Sequence, residues 1–416
     1  MQSSDPGHLF QTTQQLNQSK NREKKLKASE KVGEPINVSS KVLDLVIRGQ
    51  EGWTGESGFQ ARRLDLRTGK TIRLYKGHDG PVTSIALHDM RDADGTKWVA
   101  LVTGSWDKSI KIWNADSGEL LHTLQGHVDF LKSLLILPLP VPVLLSTSSD
   151  RTVKLWDLSS LSSSSSASSS STSTSDAPPR CIQNIKEHTR PVECSIYKLE
   201  VDINGKPTGG IDVYTGDSLG LIKRWNVQEG KLVFKEDLTG HETSVNQLSL
   251  TEEGFWSVSS DKSAIFHPFH PNSSSSTSRP KIVHPSYVRS ILPIPEEFPL
   301  SQSLLLTGSE DEDIRIYDVE PLSDVGGSGS GPAKLKGIIQ GHCGDVNVLK
   351  AWYRDEEGKK GWYVVSGGLD CTLRRWNVQD LLSPPVLDFQ PEPEKEEVGL
   401  TEEEERELAE LMSDED

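Results

Sequence analysis

Short apolar runs alternate with polar residues at a period of two through most of this chain. Ile110 and Ile112, or Val153 and Leu155, fall on one side of such a segment, as in a strand with one face against a core. The longest apolar run, LLILPLPVPVLL from Leu134 to Leu145, holds three prolines. It is too short to span a bilayer as a helix, and it reads as two buried strands around a proline-rich turn. Two segments break the alternation. Residues 1–35 are polar, with a basic stretch at Asn21–Lys27, and read as a disordered, solvated tail. Residues 400–412 read as a short helix, with Thr401 as N-cap and Glu404 at the third helical position. There Leu408, Leu411 and Met412 form a small apolar stripe, too short to hold a helix alone, so docking on a partner is expected.

The alternating segments repeat. Thr103–Asn114 (TGSWDKSIKIWN), Ser146–Asp157 (STSSDRTVKLWD) and Ser366–Asn377 (SGGLDCTLRRWN) run small residues, an Asp, alternating residues and a Trp. The Asp stands six before the Trp in Asp107/Trp113, Asp150/Trp156 and Asp370/Trp376. Weaker copies end at Trp225 and Tyr317, and one keeps Asp261 but has His267 in the Trp place. A Gly-His dipeptide precedes four copies, at His78, His127, His241 and His342, while His188 and His284 stand there in two others.

These motifs resemble the WD-repeat family over residues 36–390. Six copies and a degenerate first one, which keeps only Leu64-Asp65 and an outer strand, imply an all-β fold, a seven-bladed WD-repeat β-propeller. A lone four-stranded sheet cannot cover both of its faces, whereas blades stacked in a ring can. The resemblance implies a hydrogen-bond network of His78, Ser105, Asp107 and Trp113 in one blade and of His127, Ser148, Asp150 and Trp156 in the next. His342, Asp370 and Trp376 are placed in a third. Leu219 in an Asp position, Gly368 in a Ser position and His267-Pro268 in place of Trp-Asp mark blades expected to be looser. Ring closure stays open between a strand in Ile36–Val46 and one at Pro385–Phe389.

Serine- and glycine-rich insertions at 159–179, 272–279 and 322–332 cannot bury apolar area and are expected to be disordered. They share one loop class. Polar inserts at Arg91–Lys97, Asp202–Gly210 and Arg354–Lys360 share another, and both classes emerge on the same propeller face. The opposite face carries Trp106, Phe130, Tyr287 and Leu369. By the resemblance these are partner-contacting positions, and exposed aromatic residues are typical binding hot spots.

Charge adds one feature. The chain carries a formal net charge of −16. Its last segment, 391–416, holds 13 acidic residues against Lys395 and Arg406, which leaves −5 for the rest and speaks against a general basic field for nucleic acid. The cysteines Cys181, Cys194, Cys343 and Cys371 show no CxxC spacing. The polar opening shows no secretory signal, so a reducing compartment, cytoplasm or nucleus, is expected. The repeat histidines and aspartates lie in equivalent places of different blades, too dispersed for one acid–base site. No catalytic, metal or cofactor motif is seen. Arg62-Arg63 and Arg374-Arg375 read as solvated pairs. The leading expectation is a non-enzymatic scaffold or adaptor binding other proteins in a larger complex, with no membrane, direct nucleic-acid or small-molecule ligand. The alternative is an assembly chaperone for a basic client such as a ribosomal or chromatin protein.

Overall fold

A computed structural model describes residues 13–91, 96–163, 178–201, 207–269, 280–295, 297–298, 304–319, 333–385 and 387. Among the described residues the strands form seven four-stranded antiparallel sheets, the blades of a propeller. Blades 1 to 6 span residues 42–76, 82–124, 131–185, 192–238, 245–283 and 288–339, each in strand order a–b–c–d from the inside outward. Blade 7 takes strands a to c from residues 346–377, and its outer strand is Ile36–Asn37 from the start of the chain. Ile36 pairs with Leu373 and Asn37 with Thr372. The N-terminal strand therefore closes the ring, and the C-terminal alternative is excluded by the pairing.

The residues before this strand strengthen the closure. The Arg375 amide donates to Gly33 O at 2.6 Å, its Nε donates to Glu34 O at 3.0 Å, and Arg374 Nη1 donates to Val32 O. Arg354 and Lys359 both pair with the Glu34 carboxylate, at 2.8 and 3.0 Å. Neither arginine pair is solvated. Arg62 is buried against Glu56 at 2.5 Å, and Arg63 holds Glu51 and Asp116. An arginine beside a β-strand can turn inward when a carboxylate or carbonyl waits there, which a sequence pair does not reveal.

Each strand a begins with a fully buried branched residue: Val42, Val82, Leu131, Val192, Val245, Val288 and Val346. A register shift follows each one. Five of them press on a glycine in strand b of the preceding blade. A Cβ on Gly308 would lie 2.7 Å from Val346 Cγ1, and one on Gly216 2.9 Å from Val245. Glycine in a strand here marks the close approach of a neighbour.

In blades 1 to 6 the residue two past that start bonds to the next blade. Asp44 accepts from Ile85 N at 2.8 Å and Ser84 from Leu134 N at 2.9 Å. The Ser133 and Ser195 hydroxyls meet at 2.9 Å, and Cys194 Sγ donates to Val245 O at 3.4 Å. Gln247 accepts from Ile291 N at 2.9 Å, and Ser290 donates to Val346 O at 2.8 Å. Burial raises the Asp44 carboxyl above its ordinary range, against the pull of Lys350 and these amide donors.

The N-terminal segment departs from the expected tail. Thr13–Ser29 is a helix, α1, described by itself because Met1–Glu30 with Leu387–Asp416 is a unit apart from Lys31–Val386. The segment lacks Gly and Pro and is rich in Gln and Lys, both good helix formers. It carries no apolar stripe, so a test based on periodicity passes over it. A second helix, α2 (Val378–Leu382), follows blade 7 under an Asn377–Asp380 capping box. The acidic tail with Leu408, Leu411 and Met412 lies outside the described residues.

Ser159–Ser163, read as part of a disordered loop, is a 3-10 turn. It forms because Leu161 is fully buried with Met90, Trp156 and Leu158 in the core between blades 2 and 3. Replacing residues 164–177 by a short Gly-Ser link should leave the thermal midpoint within a degree or two, since closure entropy varies slowly with loop length. Leu161→Ala should cost about 2–5 kcal/mol in urea unfolding, and Gly308→Ala about 1–3 kcal/mol by crowding Val346.

Candidate partner-binding face

In an up-and-down sheet the turns alternate between two edges. The a–b and c–d turns share one face, and there lie all the connections of ten residues or more flanked by described strands, at 158–179, 269–280, 294–303 and 319–333. The b–c turns and d–a loops share the other, and each is six residues or fewer. Every b–c turn has one residue in the left-handed region: Phe59, Lys108, Arg151, Gly220, Lys262, Glu312 and Cys371, with φ between 62 and 87°. A backbone bond then clamps each turn to the adjoining d–a loop. Examples are Trp106 N to Pro81 O, Ser149 N to Phe130 O, Glu310 N to Tyr287 O and Leu369 N to Asp345 O, all 2.9–3.0 Å.

A buried side-chain network holds the clamp. In blade 2, Asp107 Oδ2 accepts from His78 Nδ1 at 2.7 Å and from Asp79 N at 3.0 Å. His78 Nε2 lies 2.8 Å from Thr103 Oγ1, which also accepts from Trp113 Nε1 at 2.9 Å. In blade 3, His127 joins Asp150 and Ser146 at 2.8 Å each, and Trp156 donates to Ser146 at 2.9 Å. The hydroxyl in the network is thus ten residues before the Trp, not eight as expected. Ser105 and Ser148 instead donate to Gly80 O and Asp129 O and receive the amides of Asp107 and Asp150. The reason is strand geometry: Thr103 and Ser146 face the indole across the b–c pair, whereas Ser105 and Ser148 stand at the turn.

Three blades read as looser keep the network by substitution. Blade 4 draws its carboxylate from Asp217, two residues before Leu219, 3.1 Å from His188 Nδ1. In blade 5, His267 Nε2 takes the indole's place, 2.8 Å from Ser257 Oγ. In blade 7, Gly368 leaves room against His342, and Asp370, Ser366 and Trp376 complete the set. Blade 6 breaks it. Asp311 is held by Arg315 at 2.7 Å, and both nitrogens of buried His284 and the Thr307 hydroxyl have no hydrogen-bond partner among the described residues.

Burial works against ionising Asp107, Asp150 and Asp370. The hydrogen bonds from His78 and Ser109, His127 and Thr152, and His342 outweigh it, and hold these carboxyls well below the usual range. Burial, then the nearby Arg315, lowers His284 to about 4.

Trp106, Phe130 and Tyr287 are each about 40% exposed, and Leu369 is half-buried. The structure brings together Trp106 and Phe130, whose rings stack at 5.0 Å and 21° across the boundary of blades 2 and 3. Tyr287 stands on blade 6 beside the Lys262 ammonium, and Leu369 on blade 7. Sequence reading missed Phe59, Val128 and Leu219, which are 49%, 74% and 52% exposed on the same face. The signal was their register: Phe59 and Leu219 lie in b–c turns, Val128 in a d–a loop.

Comparison with known proteins agrees with the architecture. The family described as "WD domain, G-beta repeat" matches residues 69–114 and 118–157, in blades 1 to 3. An uncharacterised WD repeat-containing protein of Schizosaccharomyces pombe is 28% identical over the full length of both chains. The chain carries WD repeats and folds as a seven-bladed propeller. Autophagy-related protein 16 of Arabidopsis thaliana is 22% identical over 52% of this WD-repeat chain and 35% of its own. Nuclear distribution protein PAC1 of Arthroderma benhamiae is 38% identical over 22% of this chain and 20% of its own. WD-repeat propellers generally mediate protein–protein interactions, typically as scaffolds without catalysis.

Asp150→Ala should destabilise by about 2–4 kcal/mol, because His127 and two backbone donors lose a buried partner; urea unfolding beside a surface Ser→Ala control reads this. His284→Phe should be neutral or stabilising, since no bond is lost. His284 stays neutral when folded down to about pH 4 but binds a proton near pH 6.5 when unfolded. Its contribution to stability is therefore present above pH 6.5 and lost as pH falls toward 4, and His284→Phe should flatten the slope of the urea midpoint in that window.

Proposed function

We propose that this protein is a non-enzymatic scaffold or adaptor of a multiprotein complex in the cytoplasm or nucleus, docking partners on the face of the b–c turns. The observation that carries this reading is the stacked Trp106–Phe130 pair, held exposed on a rigid clamp across two blades. Fixed aromatic residues lose little entropy on binding, and burying each is worth about 1.5–3 kcal/mol. Tyr287 and Leu369 would extend contact round the ring, with Phe59, Val128 and Leu219 as further apolar points. Long polar insertions on the opposite face would cost ordering entropy there.

The acidic tail supports a second reading, an assembly chaperone for a basic client. Its net charge of −11 over 391–416 would attract such a client, and Leu408, Leu411 and Met412 would supply apolar contact.

Affinity capture from cells followed by mass spectrometry identifies the partner. Trp106→Ala with Phe130→Ala should then weaken its binding at least tenfold in calorimetry, with circular dichroism unchanged. Full binding by the folded double variant, with loss on charge reversal at Asp355 and Glu356, would place docking on the other face. Deleting 391–416 should weaken binding and flatten its salt dependence if the tail is an electrostatic arm. Leu408→Ala with Leu411→Ala should then do little, whereas a docking helix would suffer from both changes.

A further inference from the structure

The residue two before each Trp position offers an internal comparison between blades. It is a cation in six of them: Arg62, Lys111, Lys154, Lys223, Arg315 and Arg374. Five are spent. Arg62 holds Glu56, Lys111 donates to Thr123, Lys223 pairs with Asp237, Arg315 holds Asp311, and Arg374 donates to Val32 O. Lys154 in blade 3 differs. It is only 8% exposed, yet among the described residues it has no ion pair or hydrogen bond. Across the c–d ladder it faces Asn184, where Lys223 faces Asp237.

Lys154 opens into a cleft of about 440 Å³ at the rim of blade 3, shared with Arg151, Lys186, Asn184 and Val128. Arg151 and Lys186 also lack any carboxylate partner among the described residues. The left-handed turn at φ 68° carries Arg151 to the lip. Asp150 lines the cleft too, but its oxygens are taken by His127, the Val128 and Thr152 amides and the Thr152 hydroxyl. Three cations against one committed carboxylate leave the cleft with two positive charges and the Asn184 amide as a further donor. The Lys154 side chain is mostly covered while its ammonium reaches the cleft, and a ligand of charge −2 would balance the two positive charges there. Phosphate monoesters carry nearly that charge at neutral pH, with three strong acceptor oxygens. Val128, three-quarters exposed, borders the cleft and leads two residues on to Phe130.

We propose that this cleft binds a phosphate monoester on a side chain of a partner protein, with Lys154 as its buried anchor and Val128 contacting the residue beside it. The protein source of the phosphate rests on the docking reading above; the anion site itself does not.

The test uses the full chain and three probes at constant ionic strength: inorganic phosphate, a nonapeptide with one phosphoserine between leucines, and its unphosphorylated form. Fluorescence anisotropy of the labelled peptides should show saturable binding of the phosphopeptide, at least tenfold tighter than the unphosphorylated form, with millimolar inorganic phosphate competing. Lys154→Gln should weaken it at least tenfold, and Lys186→Gln or Arg151→Gln, both at exposed positions, severalfold. Lys111→Gln, the blade 2 equivalent, should leave it unchanged. Equal loss with Lys111→Gln, or no saturable binding, would overturn the site while capture through Trp106 and Phe130 still stood. Inorganic phosphate bound as tightly as the phosphopeptide would overturn the protein source and leave a free phosphate as ligand. If Lys154→Gln fails to fold by circular dichroism, the Arg151 and Lys186 variants decide.

Discussion

Every four-stranded sheet here has two apolar faces, and only a closed ring covers both. The rest of the structure depends on that constraint. A break anywhere would leave two blade faces in water, so the join between first and last blade matters as much as any core. The chain makes it with Ile36–Asn37 on blade 7 and backs it with Val32, Gly33 and Glu34 on Arg354, Arg374 and Arg375. The ring then tightens toward its axis through side chains such as Asp44, Ser84, Gln247 and Ser290, each bonded to the next blade.

The second constraint is the turn between strands b and c. A left-handed residue costs energy for anything but glycine, and six of the seven positions are not glycine. In blades 2, 3, 5 and 7 what holds them is a carboxylate gathering backbone donors under a buried histidine. The chemistry is conserved where the residues are not. Asp217 serves from two positions earlier, His267 replaces an indole, and Glu56 with Arg62 stands in for the histidine pair in blade 1. Blade 6 alone, among the described residues, keeps the histidine and leaves it without a partner.

Short clamped loops on one face and the longest connections on the other set the two faces apart. Clamped turns hold Trp106 and Phe130 exposed without letting them collapse into the core. The same clamping holds Arg151 at the lip of the blade 3 cleft. The proposed docking surface and the proposed phosphate cleft thus share one architectural cause, the fixed geometry of the b–c turn.

The repeated alternating copies, read through their resemblance to the WD-repeat family, determined the blade number, the strand order and the face that bears Trp106, Phe130, Tyr287 and Leu369, because strand period and up-and-down connectivity are local properties. Long-range choices were out of its reach. Which terminus closes the ring depends on pairing across more than 330 residues. That Thr103 and Ser146 rather than Ser105 and Ser148 meet the indole depends on which hydroxyl faces it across the sheet. The helix Thr13–Ser29 has propensity without periodicity, so no apolar stripe announces it. Lys154 looks in sequence like Lys111 or Lys223. Only the packing of Asn184 against it, where blade 4 places Asp237, left its charge unspent.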